Sequence, residues 1–190
     1  MTRNLFLALA VLTAALHPGI GHGEPFASDS SGHTEERRVT TVTAVDLERY
    51  AGLWYEVAKI PNRFQKQCAR GTTAEYTLRE DGRISVVNRC FKNDGSLDDA
   101  NGVAKVIDTS TNAKLEVSFV SFLGWRPFWG DYWVIGLDEN YEWVVVGTPD
   151  RKYGWVLART PTLDESTMQE VRRILTTNGY QWDTFEVSVQ

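Results

Sequence analysis

Of the chain's three histidines, His17, His22 and His33, none lies in the last 157 residues, and it has only two cysteines, Cys68 and Cys90. A haem or zinc site built on histidines of the main domain is thereby excluded, and no metal site or cofactor is expected. No His and no spare thiol stand by to serve an acid or nucleophile, so the chain reads as a non-enzyme. Basic excess is lacking too: the formal net charge is −5 and the pI near 5.3, unlike the balance of a nucleic-acid binder. Long apolar runs are also missing. The longest, Leu5 to Leu16, is too short to span a bilayer and follows Arg3, with small residues at Gly21 and Gly23. Residues 1–23 are therefore expected to be an export signal. Residues 24–44, polar and without apolar periodicity, are expected to be a flexible linker before a domain at 45–190. No Cys accompanies the signal, so the chain is expected to be periplasmic or secreted without a lipid anchor on a lipobox Cys.

In an oxidising compartment an even cysteine count usually means a bridge. A Cys68–Cys90 disulfide would close a loop of 22 residues, worth about 3 kcal/mol on a chain-entropy estimate. Two reduced core cysteines are the alternative.

From Asp46 onward apolar runs alternate with turn residues. Strands are expected at Leu53–Ile60, Thr72–Arg79, Arg83–Cys90, Gly102–Asp108, Leu115–Phe122, Tyr132–Leu137, Tyr141–Gly147 and Tyr153–Thr160, with Asp81-Gly82 a tight hairpin. Eight strands without helices between them imply an all-β, antiparallel up-and-down barrel, closed because closure removes exposed edges. One C-terminal helix follows. Thr162 and Glu165 read as a capping box, Met168, Val171, Ile174 and Leu175 form one apolar stripe, and Asn178-Gly179 ends it. Runs apolar on both faces, Trp143–Val146 and Trp155–Ala158, offer that helix an outer surface. Alternation at Phe185, Val187 and Val189 suggests a short final strand.

Trp54 near the start of the strands and Arg159 near their end suit a guanidinium stacked on an indole where first and last strands meet. With Trp54 inward, period two places Glu56 and Ala58 in the lumen. It adds Ala74, Tyr76 and Leu78, then Val86 and Asn88, Ala104 and Val106, and Leu115, Val117 and Phe119. Tyr132, Val134 and Gly136, then Trp155 and Leu157, complete the wall. Several of these are small, which favours a ligand cavity over a self-packed barrel. Glu56, the one acid expected inside, calls for a hydrogen bond from a lumen Tyr or Asn88, or hydration.

Loops after the odd strands share one rim, the mouth. It carries Arg63, Lys66, Arg70, Arg89, Arg126, Arg151 and Lys152, an arrangement that welcomes an anionic head group or is simply a solvated rim. The 122–130 loop, with Phe122, Trp125, Phe128 and Trp129, reads as a lid, a dimer patch, a membrane-contacting edge or inward packing.

Gly52-x-Trp54, the Asp138 turn and Arg159-Thr160-Pro161 resemble, in order and spacing, the three signature regions of the lipocalin family. Gly147 to Pro161 is similar to its bacterial lipocalin and apolipoprotein D branch, and the resemblance covers about Val45 to Gln190. Leu137 stands where the second region usually has Thr, and the lipidated Cys common in bacterial members is absent. The resemblance implies structural roles for Gly52, Trp54, Asp138 and Arg159. It also implies binding and transport or storage of a small hydrophobic ligand, a fatty acid or lysophospholipid. A lipocalin-fold enzyme using Glu56 or Tyr76 on a lipid-like substrate is the alternative. The partners implied are a lipid, a transient membrane contact and a homodimer, with no nucleic acid.

Overall fold

A computed structural model describes residues 38–190, and the expected export signal, the three histidines and most of the expected linker lie outside the described residues. Nine strands form one sheet: β1 (Gly52–Lys59), β2 (Arg70–Leu78), β3 (Ile84–Phe91), β4 (Leu97–Val106), β5 (Lys114–Ser118), β6 (Gly130–Leu137), β7 (Trp143–Gly147), β8 (Gly154–Ala158) and β9 (Glu186–Val187). Each of the first eight pairs antiparallel with its sequence neighbour. β1 pairs with both β2 and β8, so the sheet closes into the expected eight-stranded barrel, with β9 added along β1. The β2–β3 hairpin turns at Gly82, whose φ of +76° suits a residue without a side chain.

Helix α2 (Glu165–Thr177) lies outside. Its N-cap is Asp164, which accepts from the Thr167 N–H at 2.9 Å, rather than the expected Thr162–Glu165 box. Asp164 ends an extended segment and so already faces the free amides of the first turn. The stop at Asn178-Gly179 is as expected, with Gly179 at φ +78°. Met168, Val171 and Leu175 of α2 pack on Val57, Ile135, Val145, Val156 and Ala158, an outer core separate from the one in the lumen. The doubly apolar strands β7 and β8 thus send alternate residues to two cores.

Two short elements at the closed end escaped sequence reading. One is α1 (Leu47–Tyr50), four residues capped by Asp46, which accepts from the Glu48 and Arg49 amides. The other is the stretch before it. Val39 packs in the outer core, Thr40 donates to Asn178 Oδ1 at 2.8 Å, and Val42 N–H donates to the Val134 carbonyl at 3.0 Å. The part of the expected linker from Val39 on is thus a strap tied to the barrel, because Val39 and Val42 have apolar surface to bury.

β1 and β2 pair only from Gly52 to Tyr55 and then separate. The C-terminal residues run into the gap. Ser188 N–H donates to the Val57 carbonyl at 2.9 Å, Gly71 N–H donates to Val189 at 2.7 Å, and Gln190 Nε2 reaches the carbonyls of Glu56 and Thr72. The expected final strand is only two residues long, yet its tail bridges the wall.

Candidate functional site: the barrel lumen and its mouth

The lumen is lined much as alternation predicts. Ala74, Tyr76, Val86, Ala104, Leu115, Val134 and Leu157 are buried in the inner core, with Val106, Val117, Tyr132 and Trp155 packed against them. Leu78, expected inside, is 39% exposed beyond the closed end. Phe119 leans across Gly102: a Cβ there would lie 2.6 Å from the ring, so only glycine lets the phenyl settle on β4 near the mouth.

Two further lumen expectations fail, both at β-bulges. Between Glu56 and Ala58 the register with β8 shifts, so that Ala58 stands opposite Val156 and joins the outer core. A second shift separates Val134 from Gly136, and a Cβ on Gly136 would meet Ile174 of α2 at 2.9 Å, placing that residue outside as well. A bulge adds a residue to one strand and reverses the alternation beyond it. The first therefore turns Lys59 inward, opposite Trp155, a cation that period-two reading assigned to the outside.

Lys59 settles the question of Glu56, whose side chain is 3% exposed. Its Oε1 accepts from Lys59 Nζ at 2.9 Å and from Ser188 Oγ at 2.7 Å, and its Oε2 from Gln65 Nε2 at 2.6 Å. The carboxylate is thus paired and hydrogen-bonded, as a buried charge must be, though not by the lumen Tyr or Asn88 expected. Gln65 in turn accepts from Asn62 Nδ2 at 2.8 Å and from Trp155 Nε1 at 3.1 Å. The β1–β2 loop is thereby pinned over the lumen. Its far end is held by the Cys68–Cys90 disulfide, formed as expected, with 5.4 Å between the Cα atoms.

At the lower end three phenols meet. Tyr132 Oη lies 2.6 Å from Tyr50 Oη and 2.9 Å from Tyr76 Oη. β2 and β6 are four strands apart in either direction round the barrel, so Tyr76 and Tyr132 reach toward each other across the lumen. Burial raises all three phenol pKa values, that of Tyr76 to about 12, so the shelf is uncharged at neutral pH. Tyr50 comes from α1 and was missed with it.

Beneath the shelf Trp54 is fully buried, with its Nε1 donating to the Tyr50 carbonyl at 2.8 Å. The Arg159 guanidinium sits 3.7 Å from the Trp54 ring centroid. It donates to the carbonyls of Leu53 and Arg49 at 2.8 Å and of Ala51 at 3.0 Å, with longer bonds to Tyr50 and Tyr141. Gly52 has φ +98°, and a Cβ there would stand 3.4 Å from Arg159 Nη1. Asp138 holds the β6–β7 turn by accepting from the Asn140 and Glu142 amides.

Around the mouth the cations divide. Lys59, Arg63 and Lys66, with Glu186 the one acid, line a cavity of about 320 Å³. Arg70 lies over the Phe91 ring at 4.9 Å. Arg151 points away from the lumen, its Nε donating to the Asn178 carbonyl at 2.8 Å to cap α2, and Arg126 Nη1 donates to the Ser118 carbonyl at 2.8 Å. These last two are engaged in holding backbone rather than gathered with Lys59, Arg63 and Lys66. The β5–β6 loop carries a miniature hairpin in which Phe122 and Trp125 exchange backbone bonds around Leu123 (φ +49°) and Gly124 (φ +82°). Phe122, Leu123, Trp125 and Phe128 are 68, 92, 67 and 70% exposed.

Comparison with known proteins agrees with this geometry. A family model described as a lipocalin-like domain matches residues 45–190. The chain is 38% identical over 156 residues to the outer membrane lipoprotein Blc of Escherichia coli (strain K12), covering 82% of this chain and 85% of that one. It is 39% identical to temperature-induced lipocalin-1 of Arabidopsis thaliana over 150 residues, 77% of this chain and 80% of the other. Against apolipoprotein D of Mus musculus the identity is 37%, over 70% and 71% of the two chains. Among solved structures, insecticyanin from Manduca sexta superposes with a TM-score of 0.65 at 23% identity, covering 80% and 84% of the respective chains.

Proposed function

We propose, for a chain that belongs to the lipocalin family, that the barrel is a non-catalytic carrier of one acyl chain, a fatty acid or lysophospholipid, held tail-down with its anionic head at the mouth. The observation that carries this reading is the pairing of an apolar barrel interior, with Ala74, Val86, Val117, Val134 and Leu157, and a basic depression at the β1–β2 loop lined by Lys59, Arg63 and Lys66. Burying alkyl surface gains about 0.8 kcal/mol per methylene, so a long chain gains roughly 10 kcal/mol before association costs reduce it to micromolar affinity. Titration of delipidated protein with hexadecanoic acid, followed by the change in tryptophan emission that Trp155→Phe should diminish, tests the reading. One saturable site supports it, and no saturable response to any acyl ligand overturns it.

Catalysis by Glu56 is disfavoured by its environment, since both carboxylate oxygens are already engaged by Lys59, Gln65 and Ser188. The names of the Escherichia coli relative, an outer membrane lipoprotein, and of the apolipoproteins support an exported location, periplasmic or secreted, where the disulfide would persist. The apolar hairpin tip beside the mouth supports transient contact with a lipid surface, since a rigid turn holding Leu123 in solvent gains only when that side chain leaves water. Co-sedimentation with phosphatidylglycerol vesicles, lost in Leu123→Ser/Trp125→Ser, is the expected result. Retained sedimentation in that variant overturns the contact, and a concentration-dependent mass doubling that the variant abolishes assigns the tip to a homodimer instead.

A further inference from the structure

The phenol shelf has one more donor than it can use. Tyr50, Tyr76 and Tyr132 bring three O–H hydrogens to two oxygen–oxygen contacts, and each contact consumes one hydrogen. Whichever way the hydroxyls rotate, one hydrogen is left over with no protein acceptor among the described residues. Tyr50 and Tyr76 are only 5% and 7% exposed and Tyr132 is half-buried, so that hydrogen has little access to bulk water. A complementary deficit lies beside it. Asn88, opposite Ala74 and one inward step mouthward of the Val86–Tyr76 pair, has a buried Oδ1 that receives no donor. Diagonal positions on neighbouring strands lie within reach of one group placed between them.

A surplus donor and an unfilled acceptor among the apolar residues of the barrel interior define a ligand group. The phenols are neutral, and the nearby Arg159 spends its hydrogens on backbone carbonyls, so no cation is available there to balance a carboxylate. An uncharged oxygen suits the site: a hydroxyl can accept from the phenol and donate to Asn88 Oδ1, and a carbonyl can take the phenol hydrogen. Resting on the carrier reading above, we infer that the barrel selects acyl chains whose leading, buried end carries a hydroxyl or carbonyl oxygen, received by Tyr50, Tyr76, Tyr132 and Asn88. A saturated, unmodified tail would leave both polar groups unmatched.

The test compares hexadecanoic, 16-hydroxyhexadecanoic and 2-hydroxyhexadecanoic acids on the full chain by calorimetric titration. A hydroxyl buried without partners weakens binding about tenfold or more. On this inference the 16-hydroxy acid binds wild-type protein at least as tightly as the plain acid. In Tyr76→Phe/Tyr132→Phe the order reverses, with the hydroxy acid about tenfold weaker. The 2-hydroxy acid, whose hydroxyl stays at the mouth, keeps the same ratio to the plain acid in both proteins. Should the double variant not fold, Asn88→Leu replaces it, and the expected loss is again confined to the 16-hydroxy acid. Tight plain-acid binding with a tenfold weaker 16-hydroxy acid in the wild type, or a ratio unchanged by the substitutions, overturns the inference while sparing the carrier reading. No binding of any of the three acids overturns both.

Discussion

Arg159→Ala is expected to damage the fold rather than the ligand site. The substitution removes three backbone bonds of 3.0 Å or shorter, to Leu53, Arg49 and Ala51, and the cation above the Trp54 ring. Part of that donor set is solvent-accessible, so water recovers some of the loss. Counting about 1 kcal/mol per net hydrogen bond and about 0.5 to 1 for the stacked cation, less that recovery, gives a destabilisation of about 2 to 4 kcal/mol. For a domain of this size that corresponds to a fall in Tm of about 5 to 15 °C. Differential scanning calorimetry measures it, with ligand titrated well below the variant's Tm. Arg159→Lys is the informative companion, because an ammonium keeps the charge over the indole but has no planar fork for several carbonyls at once, and it should recover less than half the loss. An alanine variant with wild-type Tm and abolished acyl binding would refute the reasoning and move Arg159 from the closed end into the binding site.

Replacing Arg63, Lys66 and Arg70 together with Gln should weaken hexadecanoic acid while leaving hexadecanol nearly unchanged. Each exposed contact is worth only about 0.2 to 1 kcal/mol, so high salt should reproduce the effect and single variants should not. Equal loss for acid and alcohol would make the rim a solvated surface. Lys59→Met should be more destabilising than any rim substitution, because it strands the buried Glu56 carboxylate, and Glu56→Gln/Lys59→Met should restore part of the loss in chemical denaturation. Removing both cysteines should cost about 3 kcal/mol, read as a lower denaturation midpoint. The shelf phenols have folded pKa values raised above an unfolded value near 10. Their contribution is therefore complete below pH 10 and is lost above it, for Tyr76 as pH rises toward about 12. Absorbance at 295 nm should show these tyrosines ionising only as the barrel unfolds, and ionisation of all seven near pH 10 in folded protein would refute it.

The barrel was legible because strand alternation and turn residues are local signals, and the signature residues Gly52, Trp54, Asp138 and Arg159 stand where reading placed them. The misses share a physical cause. Ala58 and Gly136 were assigned inward because a bulge leaves no mark on period-two patterning; it is set by how β1 must bend past β8 and β6 past β7. Lys59 was hidden by the same slip, and with it the partner of Glu56. Tyr50 was overlooked because a four-residue helix has too few residues to show a 3.6 period, although Asp46 before it was a readable cap. Arg151 and Arg126 belong to the mouth loops in sequence, but nothing local foretells that a guanidinium will turn back to a helix end or a strand carbonyl.

The wedge of Ser188, Val189 and Gln190 between β1 and β2 has a consequence for the order of folding. The gap that these residues fill is bordered by β1 and β2, and Gln190 reaches the Glu56 and Thr72 carbonyls across separations of 134 and 118 residues, so the filler comes from far along the chain. Until residues 188–190 dock, the wall beside Glu56 lacks its seam and the buried carboxylate lacks its Ser188 donor. Closing so long a loop carries an entropic cost that the neighbouring hairpins do not, so the seam is expected to form after the local strand pairs rather than with them. Gln190→Ala, which removes the side-chain bridge between the Glu56 and Thr72 carbonyls, should open this seam to proteolysis while leaving the rest of the barrel protected.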